Sequence, residues 1–206
     1  MLVDKSLRDV LAAFASPDPT PGGGSASALA AALGASLLRM VAGMAKTRAG
    51  SEEDRAALAA AAAGLTGVQQ QLTEAIDEDA AAYDAVVAAY KQPKSTEAER
   101  SGRAGAIARG LRGATDVPLR VMRLSALGLT HAEAVAKHGH RAAASDIGVA
   151  VALLRAGLHG AGLNVAVNLA GLGDAAYRDA VDVEVQRLMR AGGESAAAAE
   201  RTLAHG

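Results

Sequence analysis

The chain contains no cysteine and no tryptophan, and its aromatic residues are one phenylalanine and three tyrosines. Without thiols there is no disulfide framework, no thiolate metal site and no cysteine nucleophile, a composition compatible with a reducing compartment. Excess charge is also lacking. With 21 basic against 22 acidic residues and a formal net charge of -1, nothing electrostatic points to nucleic acid or to an anionic membrane as partner. Charged residues interrupt the first sixteen residues, so no secretory signal is expected there and the expected location is the cytoplasm. The longest apolar run, Ile147 to Gly173, has spanning length but carries Arg155, His159, Asn164 and Asn168. It reads as a buried helix of a soluble bundle, with no membrane partner. The alternation of β-branched and aromatic residues that marks strands is absent as well.

What remains is helical periodicity almost everywhere. An all-α fold follows, with residues 1–206 as a single-domain helical bundle. The spacing predicts helices over Ser6 to Ala15, Ser25 to Arg48, Glu52 to Lys91, Thr96 to Arg112, Pro118 to Leu127, Ser145 to Leu172 and Ala175 to Arg190. A further, fraying helix is expected in the C-terminal GGESAAAAERTLAHG. Apolar residues make up 50% of the chain and aromatics 2%, so the core is built from Ala, Leu, Val and glycine Cα atoms. Small side chains bury little area each, at about 25 cal/mol per Å². A helical homodimer that covers further apolar faces is therefore expected.

Three stretches carry candidate chemistry. In PTPGGGSASALAAALG, Gly22, Gly23, Gly24 and Ser25 lead into a helix whose first N–H groups can face an anion or a developing negative charge. No Lys-Ser/Thr follows, which excludes a Walker loop. The alternative is a sharp bend with Ser25 or Ser27 as cap. In TEAIDEDAAAYDAVVAAYKQPK, Asp79, Tyr83, Val86 and Tyr90 share one helical face, either as a site or as a core stripe with a solvated acid. Pro93 then ends the helix and Lys94 emerges beyond it. In SDIGVAVALLRAGLHGAGLNVAVNL, Gly160, Asn164 and Asn168 form a polar stripe that needs hydrogen-bond partners. Asp146 lies on the same face about 27 Å away at the standard helical rise, as a cap or as part of a separate subsite. His131, His138 and His140 cluster without carboxylates at ligand spacing; they read as a loop with surface histidines, and no metal is expected.

Taken in order, TPGGGSASALAAALGASLLRMVAGM, DEDAAAYDAVVAAYKQPKSTEAER, VPLRV and SDIGVAVALLRAGLHGAGLNVAVNL resemble the cyclodeaminase/cyclohydrolase family, the C-terminal domain of formiminotransferase-cyclodeaminase, which also occurs alone in bacteria. The resemblance spans nearly the whole chain. It implies a dimer-forming helical fold that handles one-carbon tetrahydrofolates without a metal and with no cofactor beyond the tetrahydrofolate substrate. The implied activity is closure of 5-formiminotetrahydrofolate to 5,10-methenyltetrahydrofolate with loss of ammonia. The alternative within the family is hydrolysis of the methenyl bridge to 10-formyltetrahydrofolate, and the alternative outside enzymology is a non-catalytic folate-binding dimer. The catalytic aspartate of the family's D-x-D-A-x-A-[FY] stretch falls on Asp79. Its LPK-like element falls on Gln92, Pro93 and Lys94, with Gln92 in place of the usual leucine. Gly139 and His140 stand where Gly-Asn is common. The resemblance implies Asp79 and Lys94 as catalytic. Gly22, Gly23, Gly24, Ser25, Tyr83, Asp146, Asn164 and Asn168 are the candidate substrate contacts. A separate formiminotransferase is a further candidate partner.

Overall fold

Four sites holding Ser, Thr or Asp, three of them with an acid three residues on, mark where helices begin. In the computed structural model, which describes residues 1–205, those sites cap real helices. Ser6, Ser51, Thr96 and Asp174 each accept the backbone N–H three residues on, and Thr96 and Glu99 complete a reciprocal capping box. The helices are α1 (Leu7–Phe14), α2 (Gly23–Ala42), α3 (Glu52–Tyr90), α4 (Glu97–His138), α5 (Ala144–Ala170) and α6 (Ala175–Ala204), and the described residues contain no strand.

The central four form an up-down-up-down bundle. Ser27 lies against Gly160, Ala31 against Gly157, and Gly34 against Ala150 and Leu154, so α2 and α5 run antiparallel. Gly64 beside His131 and Val86 beside Gly110 set the same relation between α3 and α4. Helix α6 runs along α4, tied by Tyr177 to Asp116 at 2.7 Å and by a two-pronged pair from Arg123 to Glu184. Leu38, Leu65, Leu72, Met122, Leu129 and Leu154 fill the centre and are inaccessible to solvent. Small residues bring α2 and α5 together: a Cβ on Gly157 would come within 2.6 Å of the Ala31 Cβ, too close for any side chain there.

Four expectations are corrected. Pro118 does not start a helix, since α4 runs unbroken from Glu97 to His138 with Pro118 inside it. A proline leaves the carbonyl four residues earlier without its helical donor, here Ala114. The Asn168 Nδ2 of α5 donates to that carbonyl at 2.6 Å, which removes much of the cost. Secondly, His131 and His138 are not in a surface loop. They lie on α4, His138 buried and His131 half-buried over Gly64. Burial pushes the His131 imidazole below its usual pKa. Thirdly, α2 stops at Ala42, capped by Gly43, because the following segment is drawn to the end of α4. There the Arg48 N–H donates to the His138 carbonyl at 2.8 Å. Fourthly, Gly192 and Gly193 do not separate a last helix from α6, which continues to Ala204. Gly192 accommodates Leu158, and Ala196 and Ala199 are buried beyond it. In each case packing outweighed the local preference of Pro or Gly.

Candidate active site

Helix α2 is the one long helix starting on glycine, with Gly22 as N-cap and no side-chain cap of its own. Its missing acceptor arrives from α3. The Asp79 carboxylate accepts the Ser25 N–H at 2.7 Å, and the Ser25 Oγ lies 3.0 Å from the same oxygen, Oδ2. The other carboxylate oxygen lies over Gly24, where any Cβ would overlap it. This is why glycine is needed at that position: only bare backbone lets the carboxylate settle on the helix start. Gly22, Gly23 and Gly24 form one wall of a cleft whose accessible volume is about 280 Å³. Asp79, Tyr83 and Val86 of α3 form the second wall, and Ala114 of α4 with Asn164 and Asn168 of α5 the third.

Hollows of about 300 to 380 Å³ occur elsewhere on the molecule, so size does not single this cleft out. Its chemistry does. Asp79 is the one charged residue among its lining residues. Burial pushes the Asp79 carboxyl above the usual carboxylate range, against the two Ser25 hydrogen bonds, which favour the anion. Desolvation and hydrogen bonding therefore oppose each other at this carboxyl, and desolvation is the larger effect. No arginine or lysine lines the cleft to lock it in the ionised form.

The sequence-predicted residues divide accordingly. Gly22, Gly23, Gly24, Ser25, Asp79, Tyr83, Asn164 and Asn168 are brought together, Ser25 behind the wall and fully buried. Neither Ser25 nor Ser27 is the N-cap: Ser25 occupies the third helical position, and the Ser27 hydroxyl donates to the Gly23 carbonyl at 2.6 Å. Asn164 donates to Gly160 of its own helix at 2.8 Å. Two residues lie outside. Lys94 is exposed in the α3–α4 connection, beyond the end of α3, and Asp146 sits in the first turn of α5, at the far end from Asn164. Asp146 caps nothing, since α5 has no side-chain cap. Sequence reasoning passed over Thr20, Ala114 and Val167 in the lining. Ala114 and Val167 carry no polar signal that would have marked them.

The cleft thus presents a partly desolvated carboxyl seated on a helix start within a helical bundle. Residues 6–187 match the family described as formiminotransferase-cyclodeaminase, and the chain belongs to that family. It is 38% identical to a methenyltetrahydrofolate cyclohydrolase of Methylorubrum extorquens, over 94% of this chain and 93% of the relative. It is 33% identical to the formimidoyltransferase-cyclodeaminase of Mus musculus, over 92% of this chain but 35% of that longer protein. The fold is that of a formiminotetrahydrofolate cyclodeaminase from Thermotoga maritima, with a TM-score of 0.89 at 24% identity, covering 100% of this chain and 98% of the other.

Proposed function

We propose that this chain is a folate one-carbon enzyme acting on the carbon between N5 and N10 of tetrahydrofolate. Hydrolysis of 5,10-methenyltetrahydrofolate to 10-formyltetrahydrofolate is the first reading. It is favoured by the 38% identity, nearly end to end, with a cyclohydrolase. Cyclodeamination of 5-formiminotetrahydrofolate is the second, supported by the likeness to formimidoyltransferase-cyclodeaminase. The observation that carries both is the Asp79 carboxyl, desolvated yet facing the cleft.

In the hydrolytic reading, water attacks the methenyl carbon and its proton passes to Asp79, leaving a carbinolamine. The C–N5 bond then breaks as Asp79 returns the proton to N5, and the hydroxyl proton leaves to solvent as the formyl group forms. In the cyclodeaminase reading, the formimino group enters protonated, as an amidinium; N10 attacks its carbon and gives its proton to Asp79, which hands it to the departing NH2 group, so that ammonia leaves as the methenyl cation forms. One carboxyl serves as base and then as acid in each case. The planar Tyr83 ring, half-exposed on the cleft wall, offers a stacking surface for the pterin, and the backbone of Gly23 and Gly24 offers donors.

A homodimer belongs to the same reading. Leu33 and Met40 on α2 and Val149, Leu163 and Val167 on α5 are exposed by 46–73%, an apolar face suited to a second copy of the chain. The decisive experiment is an absorbance assay of the purified protein with each folate. Decay of methenyltetrahydrofolate above the uncatalysed rate supports the hydrolase, and its formation from the formimino compound supports the cyclodeaminase. Tight folate binding with neither change would replace both with a non-catalytic binder.

A further inference from the structure

The Ser25 hydroxyl is fully buried and owns one proton, yet two acceptors lie within its reach. The Ile76 carbonyl is 2.8 Å away and Asp79 Oδ2 is 3.0 Å away. A hydroxyl donates one strong hydrogen bond at a time, so the two contacts are alternatives. Oδ2 has a permanent donor in the Ser25 N–H at 2.7 Å, while the other oxygen of Asp79 lies over Gly24 at the cleft wall. A proton arriving from a ligand therefore lands on the cleft-side oxygen and leaves Oδ2 as an acceptor. Ionised Asp79 draws the Ser25 proton to Oδ2. Protonated Asp79 is a weaker acceptor, and the same proton then turns to the Ile76 carbonyl.

We propose that Ser25 is a positioning residue whose hydroxyl swings between Asp79 and the Ile76 carbonyl as Asp79 takes up and releases the proton of the reaction. This rests on the reading of Asp79 as proton shuttle given above. In a buried site an unsatisfied hydrogen-bonding group is costly; the swing keeps the hydroxyl paired in both states and needs only rotation about one bond. No other charged side chain interferes at the carboxyl. Helix α2 presents Ser25 to it, α4 presents Ala114, and α5 presents Asn164 and Asn168 around the cleft. Tyr83 is the other titratable group on the wall, and the Arg120–Glu78 ion pair lies one residue along α3.

Two measurements on the full chain test the proposal, with Ser25→Ala and Ser25→Cys as variants. Cysteine nearly preserves volume but is a weak donor, so it decides the matter should the alanine variant fold poorly. The first is titration of the Asp79 carboxyl by carbon-13 NMR, assigned by loss of the signal in Asp79→Asn, and it needs no turnover. Losing the hydroxyl donor should move the Asp79 titration upward by about one pH unit. The second is the pH profile of kcat: its acid limb should move up by the same amount and the plateau fall about tenfold, with KM within about twofold of wild type. An unmoved titration with only a lowered Tm overturns the proposal and makes Ser25 a packing residue. A titration that moves while the kcat limb stays fixed also overturns it. A shifted titration in a protein whose wild type turns over neither folate would overturn the functional reading and uphold the hydroxyl coupling.

Discussion

Helix α3 carries three aspartates, Asp54, Asp77 and Asp79, that accept backbone N–H groups near the start of a helical segment, and the first and last behave oppositely. Asp54 sits in the first turn of α3, nearly inaccessible. Its carboxylate faces His138 Nδ1 at 2.9 Å and receives the Ala49 N–H at 2.7 Å and the Thr47 hydroxyl at 3.1 Å. The His138 hydrogen bond first, and then the Ala49 N–H, lower its pKa to about 2. Asp79, 25 residues on, has only Ser25 as donor, and desolvation pushes its pKa up. The first is a clamp that fastens the α2–α3 connection to the end of α4. Asp79 is the desolvated carboxyl on which the proposed proton transfer rests. Burial of a carboxyl does not by itself mark a site; what separates the two is the number of donors and the open cleft beside one of them.

The sharpest way to break this contrast is to neutralise each aspartate. Asp79→Asn should lower kcat by about a thousandfold. It should leave the helical circular dichroism and Tm close to wild type, because the amide oxygen can still accept the Ser25 N–H. A loss of folding as large as the loss of activity would make Asp79 structural. Gly24→Ala should come next. Alanine ordinarily favours helix, but here its Cβ displaces Asp79, and steady-state assays should show kcat lower by about a hundredfold. Asp54→Asn should reverse the pattern, with Tm falling by roughly 5 °C and kcat of the folded protein unchanged.

The two carboxyls also predict opposite responses to acid. Asp54 has a folded-state pKa below its unfolded value, so its contribution is fully present above about pH 4 and is lost as pH falls toward about 2. Asp79 has a raised pKa and contributes in the other direction, relieving the folded state as it is protonated. Acid titration of Tm should therefore lose a transition in Asp54→Asn that Asp79→Asn retains. The smallest effect concerns the cleft wall. Asn168→Ala should destabilise by about 1–3 kcal/mol by orphaning the Ala114 carbonyl. Pro118→Ala, which restores the missing N–H, should erase most of that loss in a double-mutant cycle followed by urea melts.

Asp79 and Tyr83 were legible because their spacing puts them on one helical face, and the glycine triplet because three glycines exceed what a bend requires. The Asp54–His138 pair was not, since 84 residues separate the two and nothing in either polar stretch points to the other. Pro118 and Gly192 misled for the same reason: whether a helix tolerates them depends on Asn168 and Leu158, side chains from another helix. Lys94 was placed with Asp79 by its position in a motif, yet it follows the end of α3 and stays outside the cleft.

Helical periodicity, the caps at Ser6, Ser51, Thr96 and Asp174, and the scarcity of large side chains are local properties, and they alone determined an all-helical bundle of closely packed helices. Which aspartate became a clamp of low pKa and which a desolvated carboxyl on a cleft was decided only by tertiary structure. A carboxyl's pKa is set by the donors, charges and water within a few ångströms of it, and those neighbours come from helices far apart along the chain.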